Sequence, residues 1–325
     1  MRFLLTGGAG FIGSHLGDLL LARGDEVTAL DDISTGNVQN VEASCDDPGF
    51  RLVKGSVLDA PLVRSLVDEA DVVVHLAAAV GVRLIIDQPL RSLLTNIRGT
   101  EVVLEACADA GRRVLITSTS EIYGKSATQP LHEDGDRILG SPFVARWSYS
   151  TSKAVDEILA HAYWDELGTP AIVARLFNCV GPRQTGDYGM VLPTFVRLAL
   201  KDEPLIVHGD GSQRRSFCHV ADTVRGLAAL IDHPDSPGRP YNVGAWNEIT
   251  IRELAELVID RTGSGSSIEF VPYDRAYEHG FEDMERRLPD IDRIRALTGW
   301  EPRRSLDDIV TDVIAFERSK IEAAA

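Results

Sequence analysis

The chain has 325 residues, with 33 basic and 49 acidic side chains and a formal net charge of −16. This length is typical of about two domains, and an apolar content of 44% with 25% charged residues excludes global disorder. The acidic balance argues against a protein that binds duplex nucleic acid or an anionic membrane, because both partners require a basic surface. Small anionic ligands need only a few local arginines, so they remain compatible with this charge.

The four cysteines are widely spaced and include no C-x-x-C pair. This spacing fits neither a disulfide framework nor a zinc site, and it predicts a reducing compartment and no metal. The first 15 residues lack the long apolar segment and the cleavage site of a signal peptide. The most apolar stretch of the chain is also shorter than a membrane span. We therefore expect a cytoplasmic protein.

The first half of the chain alternates short apolar strands with helical patterns. The predicted strands are Arg2–Leu5, Val27–Leu30, Val72–Leu76, Val114–Thr117 and Ala171–Leu176. The predicted helices are Phe11–Arg23, Ala60–Glu69, Leu93–Ala110 and Ser148–Leu167. Strands that are apolar throughout and separated by helices indicate a parallel sheet covered on both faces. Right-handed crossovers then give an α/β fold with a Rossmann-type doubly wound parallel sheet.

The rhythm of the sequence changes after about Asn178. Turn signals multiply there, and helices near Asp222–Ile231 and Ile251–Thr262 are separated by irregular segments. We predict a first domain over residues 1–177 and a smaller C-terminal α/β substrate domain over residues 178–325, with some segments returning to the first. The smaller domain is expected to lie over the C-terminal ends of the strands.

A glycine-rich loop joins the first predicted strand to the first predicted helix. Its glycines allow a tight turn and a close approach of the backbone to a pyrophosphate at the helix N-terminus. Asp31 follows Gly13 by 18 residues, at the end of the second strand. An acid at this position accepts ribose hydroxyls and repels a 2′-phosphate, which favours NAD over NADP. The loop residues that we expect to bind the cofactor are Gly7, Gly10, Phe11, Ile12 and Gly13.

A tyrosine and a lysine lie four residues apart at the start of a predicted helix, so that Tyr149 and Lys153 share one helix face. A nearby ammonium lowers the pKa of a phenol, which allows a tyrosine to act as a base near neutral pH. This spacing alone is typical of a solvated helix surface. However, the hydroxyl-rich segment Ser118–Gly124 directly follows a predicted buried strand. Strand ends face the crevice in which parallel sheets bind ligands, so the two motifs together predict a catalytic site.

A third motif, Phe177-Asn178-x-x-Gly181-Pro182, follows another predicted strand. The glycine loop, the Tyr149/Lys153 pair, the Thr119 segment and this third motif together resemble the extended short-chain dehydrogenase/reductases, which act on nucleotide sugars. The resemblance covers essentially the whole chain. It implies that the first domain binds NAD and that the second holds a nucleoside diphosphate sugar. It also implies a homodimer packed through Leu93–Ala110 and Ser148–Leu167.

The resemblance further implies an opening oxidation step. Tyr149 would take the proton of the sugar O4 while a hydride passes from C4 to NAD⁺. Thr119 would hydrogen-bond O4, and Lys153 would hold the cofactor ribose. The residues implied to line the cofactor after the third strand are Leu76, Ala77 and Ala78.

The residues after Thr119 differ among members of the family and indicate which reaction follows. The 4,6-dehydratases carry Asp and then Glu, whereas this chain has Ser120 and Glu121, which argues against dehydration. Hexose 4-epimerases usually have small or hydroxyl residues at both positions. Thr119-Ser120-Glu121 instead resembles the UDP-glucuronate decarboxylases, whose 4-keto intermediate loses CO₂ as a β-keto acid.

A second segment, Phe281–Asp290, resembles the one that brings an arginine to the sugar in bacterial UDP-glucuronate decarboxylases. Arg287 matches that arginine and would support the enolate or deliver a proton at C5, while Glu121 steers the carboxylate. The product would be UDP-xylose, or the UDP-4-keto-pentose if NADH escapes. Two alternatives are a UDP-sugar 4-epimerase, acting on UDP-glucose or UDP-glucuronate, and a non-catalytic dinucleotide sensor.

The resemblance also implies how the UDP-sugar is held. Arg215 matches an arginine that clamps the diphosphate, a role suited to the paired donors of a guanidinium. Asn178 matches an asparagine that donates to the phosphate or the sugar, and His208 lies on the segment that would contact the base. The residues expected to bind the substrate are Ser120, Asn178, Val191, His208, Arg215 and Arg287.

Overall fold

The computed structural model describes residues 1–79, 88–144, 146–186, 190–272, 284 and 286–324. Its strands are β1 (Arg2–Thr6), β2 (Glu26–Asp31), β3 (Phe50–Lys54), β4 (Val72–His75), β5 (Arg113–Thr119), β6 (Ala171–Leu176), β7 (Cys179–Val180), β8 (Leu205–His208), β9 (Arg214–Ser216), β10 (Cys218–His219), β11 (Pro240–Val243), β12 (Glu248–Thr250), β13 (Ile268–Val271) and β14 (Arg286–Arg287). Its α-helices are α1 (Phe11–Ala22), α2 (Ala60–Glu69), α3 (Pro89–Ala110), α4 (Arg146–Leu167), α5 (Val191–Ala199), α6 (Val220–Asp232), α7 (Ile251–Thr262), α8 (Asp292–Thr298) and α9 (Leu306–Ala324).

The central sheet has seven parallel strands in the order β11-β6-β5-β4-β1-β2-β3. One face packs against α1 and α6, through side chains such as Leu16 and Leu227. The other face packs against α2, α3 and α4, through side chains such as Val63, Leu104 and Ala160. Because helices cover both faces, the inner strands β1 and β4 are mostly apolar, as the sequence predicts, whereas the edge strand β3 carries exposed Arg51 and Lys54. The predicted α/β fold with a doubly wound parallel sheet is confirmed.

Part of the chain beyond residue 178 belongs to this layered core. Strand β11 pairs with β6, with Tyr241 opposite Ala174, and forms one edge of the central sheet. Side chains of α6 and of residues 291–300 complete the same apolar cluster. A second cluster gathers α5, α7 and α9 around the parallel pair β8 and β13, with Phe195, Leu254 and Ile309 at its centre.

Local signals in the sequence explain several helix ends. The carboxylate of Asp59 accepts the N–H of Leu62 at 3.2 Å and caps the start of α2. Helix α3 ends at Gly111, which has φ = 62° and therefore adopts the left-handed conformation that glycine tolerates best. Thr250 and Glu253 form a reciprocal capping box at the start of α7. Among the helices that the structure describes, none is long and apolar enough to cross a membrane.

Candidate active site

The carboxyl ends of four neighbouring strands meet at one edge of the central sheet. Thr6 of β1 lies opposite His75 of β4, and Thr119 of β5 lies opposite Leu176 of β6. This edge is where open parallel sheets bind their ligands. The segments that carry the sequence-predicted cofactor and catalytic residues begin or end here.

The glycine loop forms a tight backbone turn at the start of α1. Gly7 has φ = 70°, and a Cβ added to it would lie 2.8 Å from the backbone nitrogen of Ala77. A Cβ on Gly13 would collide with the carbonyl oxygen of Gly7. Phe11 and Ile12 form the half-buried first turn of the helix, which has no acidic side chain in that turn. The loop therefore exposes backbone N–H groups at a helix N-terminus, a favourable environment for an anion.

Two further segments border the glycine loop, one after β4 and one at the end of β2. Leu76, Ala77 and Ala78 follow β4 and are half-buried, and the N–H of Leu76 donates to the carbonyl of Thr6 at 3.0 Å. At the end of β2 the carboxylate of Asp31 accepts the N–H groups of Ala9 at 3.0 Å and Ile33 at 2.8 Å. Burial raises the pKa of Asp31, and these two hydrogen bonds oppose that shift.

A Cβ on Gly36 would lie 2.9 Å from Asp31 Oδ1, so the missing side chain leaves room beside the carboxylate. These contacts place Asp31 next to the glycine loop.

Tyr149 and Lys153 both lie on the buried side of α4. The side chain of Lys153 is only 2% exposed, and its Nζ lies 3.1 Å from Oδ2 of Asp156. In the described part of the chain, this Nζ has no hydrogen-bond partner of good geometry. Burial raises the pKa of Tyr149 well above its usual value, and the charges of Glu121 and Asp156 raise it further. These effects favour the protonated phenol.

The segment after β5 is tied to the same helix. Thr119 Oγ1 accepts the N–H of Glu121 at 3.2 Å, which starts a turn of 3₁₀ helix over Ser120–Tyr123. Ser120 is buried within this turn. The hydroxyl of Ser150, adjacent to Tyr149, donates to the carbonyl of Glu121 at 2.8 Å. The predicted oxidation residues and Glu121 thus lie on two segments joined by a direct hydrogen bond.

An ion pair brings Arg287 to this turn from far along the chain. Arg287 Nη2 lies 3.2 Å from Glu121 Oε1, although the two residues are 166 positions apart. Strand β14, which carries Arg287, runs parallel to β9 and places Arg287 opposite Arg215. The Nε atom of Arg287 is buried without a hydrogen-bond partner among the described residues. This donor is available to an anionic group of a ligand.

The other sequence-predicted substrate residues divide between two places. Asn178 lies beside β9, where its Nδ2 donates to the carbonyl of Ser216 at 2.9 Å. Arg215 is buried on β9 itself, opposite Arg287. His208 ends β8 and Val191 begins α5, and both elements pack in the second apolar cluster. The structure thus gathers Asn178, Arg215 and Arg287 around β9, and places His208 and Val191 on neighbouring elements.

One ionisable residue of this region, Asp156, is not among the residues predicted from the sequence. Asp156 follows Lys153 by three positions and is fully buried. A signal was present, because positions 149, 153 and 156 have the i, i+4, i+7 spacing of one helix face. An acid on the buried face of a predicted helix requires a buried partner, and Lys153 is the nearest basic residue in the sequence.

Comparison with known proteins identifies the family of this chain. The profile of the GDP-mannose 4,6 dehydratase family matches residues 4–313. A UDP-N-acetyl-alpha-D-glucosaminuronate decarboxylase of Bacillus cytotoxicus is 37% identical over 98% of both chains. UDP-glucuronic acid decarboxylase 1 of Arabidopsis thaliana is 36% identical over 99% of this chain and 71% of its own length.

Solved structures with the same architecture include enzymes that catalyse other reactions. The UDP-glucuronic acid 4-epimerase of Bacillus cereus, solved with UDP-glucuronic acid and NAD, superposes with a TM-score of 0.88 at 27% identity and covers 98% of this chain and 100% of its own. The dTDP-glucose 4,6-dehydratase DesIV of Streptomyces venezuelae gives 0.89 at 31% identity, covering 99% and 98%. The resemblance found in the sequence is confirmed: the chain belongs to the GDP-mannose 4,6 dehydratase family of extended short-chain dehydrogenase/reductases.

Proposed function

We propose that this protein is an NAD-dependent UDP-glucuronic acid decarboxylase. The observation that carries the proposal is the Glu121–Arg287 ion pair at 3.2 Å, because it adds a carboxylate and a guanidinium to the oxidation site at the end of β5. Neither group is needed for oxidation at C4, but both suit a substrate that carries a carboxylate and passes through an enolate. The decarboxylases among its relatives support this interpretation.

The residues present fit NAD. The backbone turn at Gly7 and Gly13 leaves a space that any Cβ would fill. The buried Nζ of Lys153 has no hydrogen-bond partner among the described residues, so it can donate to a ligand. The glycine loop would hold the pyrophosphate, Asp31 and Lys153 the two riboses, and Leu76–Ala78 the opposite wall. When bound, NAD⁺ supplies the acceptor for the hydride from the sugar C4.

Tyr149 is the proposed base of the oxidation step. Burial, Glu121 and Asp156 all raise the pKa of Tyr149, and a positively charged cofactor bound beside the phenol would oppose them. The phenolate then takes the proton of O4, and the Thr119 hydroxyl orients that oxygen. A general base typically accelerates a reaction by about 10²–10⁴-fold. The remaining acceleration must come from positioning of the substrate and from the cofactor.

Glu121 and Arg287 act after oxidation. In the 4-keto sugar the C5–C6 bond breaks, CO₂ leaves, and the electron pair moves into an enolate at C4. Arg287, held by Glu121 through Nη2, presents Nε to that developing negative charge. C5 would then take up a proton from Arg287 or solvent. The product would be UDP-xylose if the hydride returned to C4, or the UDP-4-keto-pentose if NADH were released.

The UDP portion would lie along β9. Arg215 would pair with the diphosphate and Asn178 would donate to a phosphate or sugar oxygen. Ser120 is buried beside Thr119 and would contact the sugar. Val191 and His208, on α5 and β8, would face the uridine.

We further propose a cytoplasmic homodimer built on α3 and α4. The two helices pack side by side, and both expose large apolar side chains. The exposed fractions are 69% for Leu90, 63% for Ile158 and 65% for Leu167. Covering these side chains with the same helices of a second subunit would remove them from water. Four free thiols are consistent with a reducing compartment.

The test is mass spectrometry of the nucleotide sugar after incubation of the pure protein with NAD⁺ and UDP-glucuronate, with UDP-N-acetylglucosaminuronate in parallel. We expect loss of CO₂ from UDP-glucuronate, and no reaction by the Tyr149→Phe variant. An unchanged mass with a new chromatographic peak would identify a 4-epimerase and contradict the proposal. Loss of CO₂ from the N-acetylated substrate alone would contradict the assigned sugar and retain the chemistry.

A further inference from the structure

The buried face of α4 carries three ionisable residues in a row. Tyr149, Lys153 and Asp156 are spaced i, i+4 and i+7, so they project from the same side of the helix. Asp156 is fully buried, and its Oδ2 lies 3.1 Å from Lys153 Nζ. Neither carboxylate oxygen has a hydrogen bond of good geometry within the described residues. The ion pair is therefore the main contact that stabilises this carboxylate as an anion.

Lys153 supplies the positive charge beside Asp156. His75 of β4 lies near Lys153, but burial lowers its pKa to about 3, so its ring is neutral. The ring is held between the hydroxyls of Thr6 at 2.7 Å and Thr100 at 3.2 Å. The Thr100 hydroxyl, on α3, also helps to lower the pKa of Asp156, although burial raises it overall.

One other acid lies close to Asp156 on the same helix. Glu157 is the next residue, and its carboxylate pairs with Arg175 of β6 at 2.7 Å. It also accepts the hydroxyl of Ser118. Its charge is thus compensated by Arg175. The remaining acid that acts on this face is Glu121, which pairs with Arg287 and raises the pKa of Tyr149.

We propose that Asp156 is a positioning residue of the active site, which fixes the Lys153 ammonium and offsets its positive charge. This inference rests on the proposed roles of Tyr149 as base and Lys153 as its cationic neighbour. With the lysine charge balanced by Asp156, Lys153 alone is too weak to make Tyr149 a base. The positive charge of the oxidised cofactor then becomes the decisive contribution, so Tyr149 loses its proton only when NAD⁺ is present.

This arrangement implies that the cofactor binds before Tyr149 loses its proton. A tyrosine that became a phenolate without cofactor would attract cations to the site. One that deprotonates only beside NAD⁺ is active in the complex that can also accept the hydride. Asp156 would thereby couple base activation to the oxidation state of the cofactor.

The experiment is a spectrophotometric titration of Tyr149 in the NAD⁺-saturated protein, read as tyrosinate absorbance minus that of the matching Tyr149→Phe variant. Asp156→Asn removes one negative charge and keeps the shape of the side chain. We expect it to lower the midpoint of Tyr149 by about 1 pH unit, since one nearby charge commonly shifts a pKa by 1–3 units. Asp156→Glu keeps the charge and is the matched control, with an expected midpoint close to that of the unmodified protein.

The same titration without NAD⁺ sharpens the test, because Asp156→Asn should reduce the difference between the two cofactor states. An unchanged midpoint in Asp156→Asn, with only thermal stability altered, would overturn the proposal and leave Asp156 a purely structural residue. If the asparagine variant does not fold, Asp156→Leu removes the same charge and must lower the midpoint likewise. No substrate is needed, so failure of the decarboxylase assignment does not affect the result.

Discussion

Two buried ion pairs border the same site but are built in different ways. Lys153–Asp156 joins residues three positions apart on one helix and lies entirely inside the protein. Glu121–Arg287 joins segments 166 positions apart and keeps partial contact with solvent. The first pair is assembled as soon as α4 forms and packs, whereas the second exists only when β14 has paired with β9. The local pair suits a fixed electrostatic role, and the long-range pair suits a group that must respond to substrate.

The largest expected effect comes from removing the cation of the local pair. Lys153→Met leaves Asp156 as an uncompensated buried charge, which typically costs about 3–5 kcal/mol. We expect the free energy of unfolding, measured in urea, to fall by this amount and turnover to be lost. The loss of stability should shrink as pH is lowered, because burial already raises the pKa of Asp156 and protonation removes the buried charge. A stability deficit that is independent of pH would contradict this account of the pair.

Removing the cation of the long-range pair should affect chemistry more than stability. Arg287→Ala is expected to slow CO₂ release by about 10²–10³-fold, by analogy with the loss of one donor to a developing oxyanion. The free energy of unfolding should change by only about 1–3 kcal/mol, the usual cost of leaving a buried group without its partner. Rapid-mixing absorbance of NADH should still show oxidation at C4. Loss of that oxidation together with CO₂ release would assign Arg287 to substrate binding instead.

The structure also predicts that the free energy of unfolding depends on pH through His75, which lies near the Lys153–Asp156 pair. Burial lowers the pKa of His75 to about 3, so the folded state keeps the ring neutral while the unfolded chain takes up a proton near pH 6.5. Stability contributed by this residue is present above pH 6.5 and is lost as pH falls towards 3, by roughly 1.4 kcal/mol per pH unit. His75→Asn should flatten the urea stability profile over that range. An unchanged slope would mean that His75 is accessible to protons in the folded state.

The sequence was sufficient for the features that depend on local pattern. The parallel sheet follows from apolar strands between helices, and the glycine loop and the Tyr149/Lys153 pair follow from spacing within one turn of chain. Arg287 was placed through resemblance to relatives, since nothing in residues 286–287 indicates a strand beside β9. Asp156 was missed because an acid near the end of a catalytic motif looks like a solvated helix position. Its burial is evident once α4 packs against α3.

The smallest expected effect comes from a helix cap that lies outside both ion pairs. The hydroxyl of Thr250 caps α7 by accepting the N–H of Glu253 at 3.1 Å, and the Glu253 carboxylate accepts the N–H of Thr250 at 2.9 Å. Thr250→Ala should lower the free energy of unfolding by about 1 kcal/mol, the usual contribution of an N-cap side chain. Thr250→Ser keeps the hydroxyl and should retain most of it. Because α7 packs in the second cluster, the rate of CO₂ release per folded molecule should stay constant. A drop in that rate would show that the capping contact transmits strain to β9, with which Thr250 pairs. Local stabilising contacts and the long-range pair that does chemistry would then not be separable.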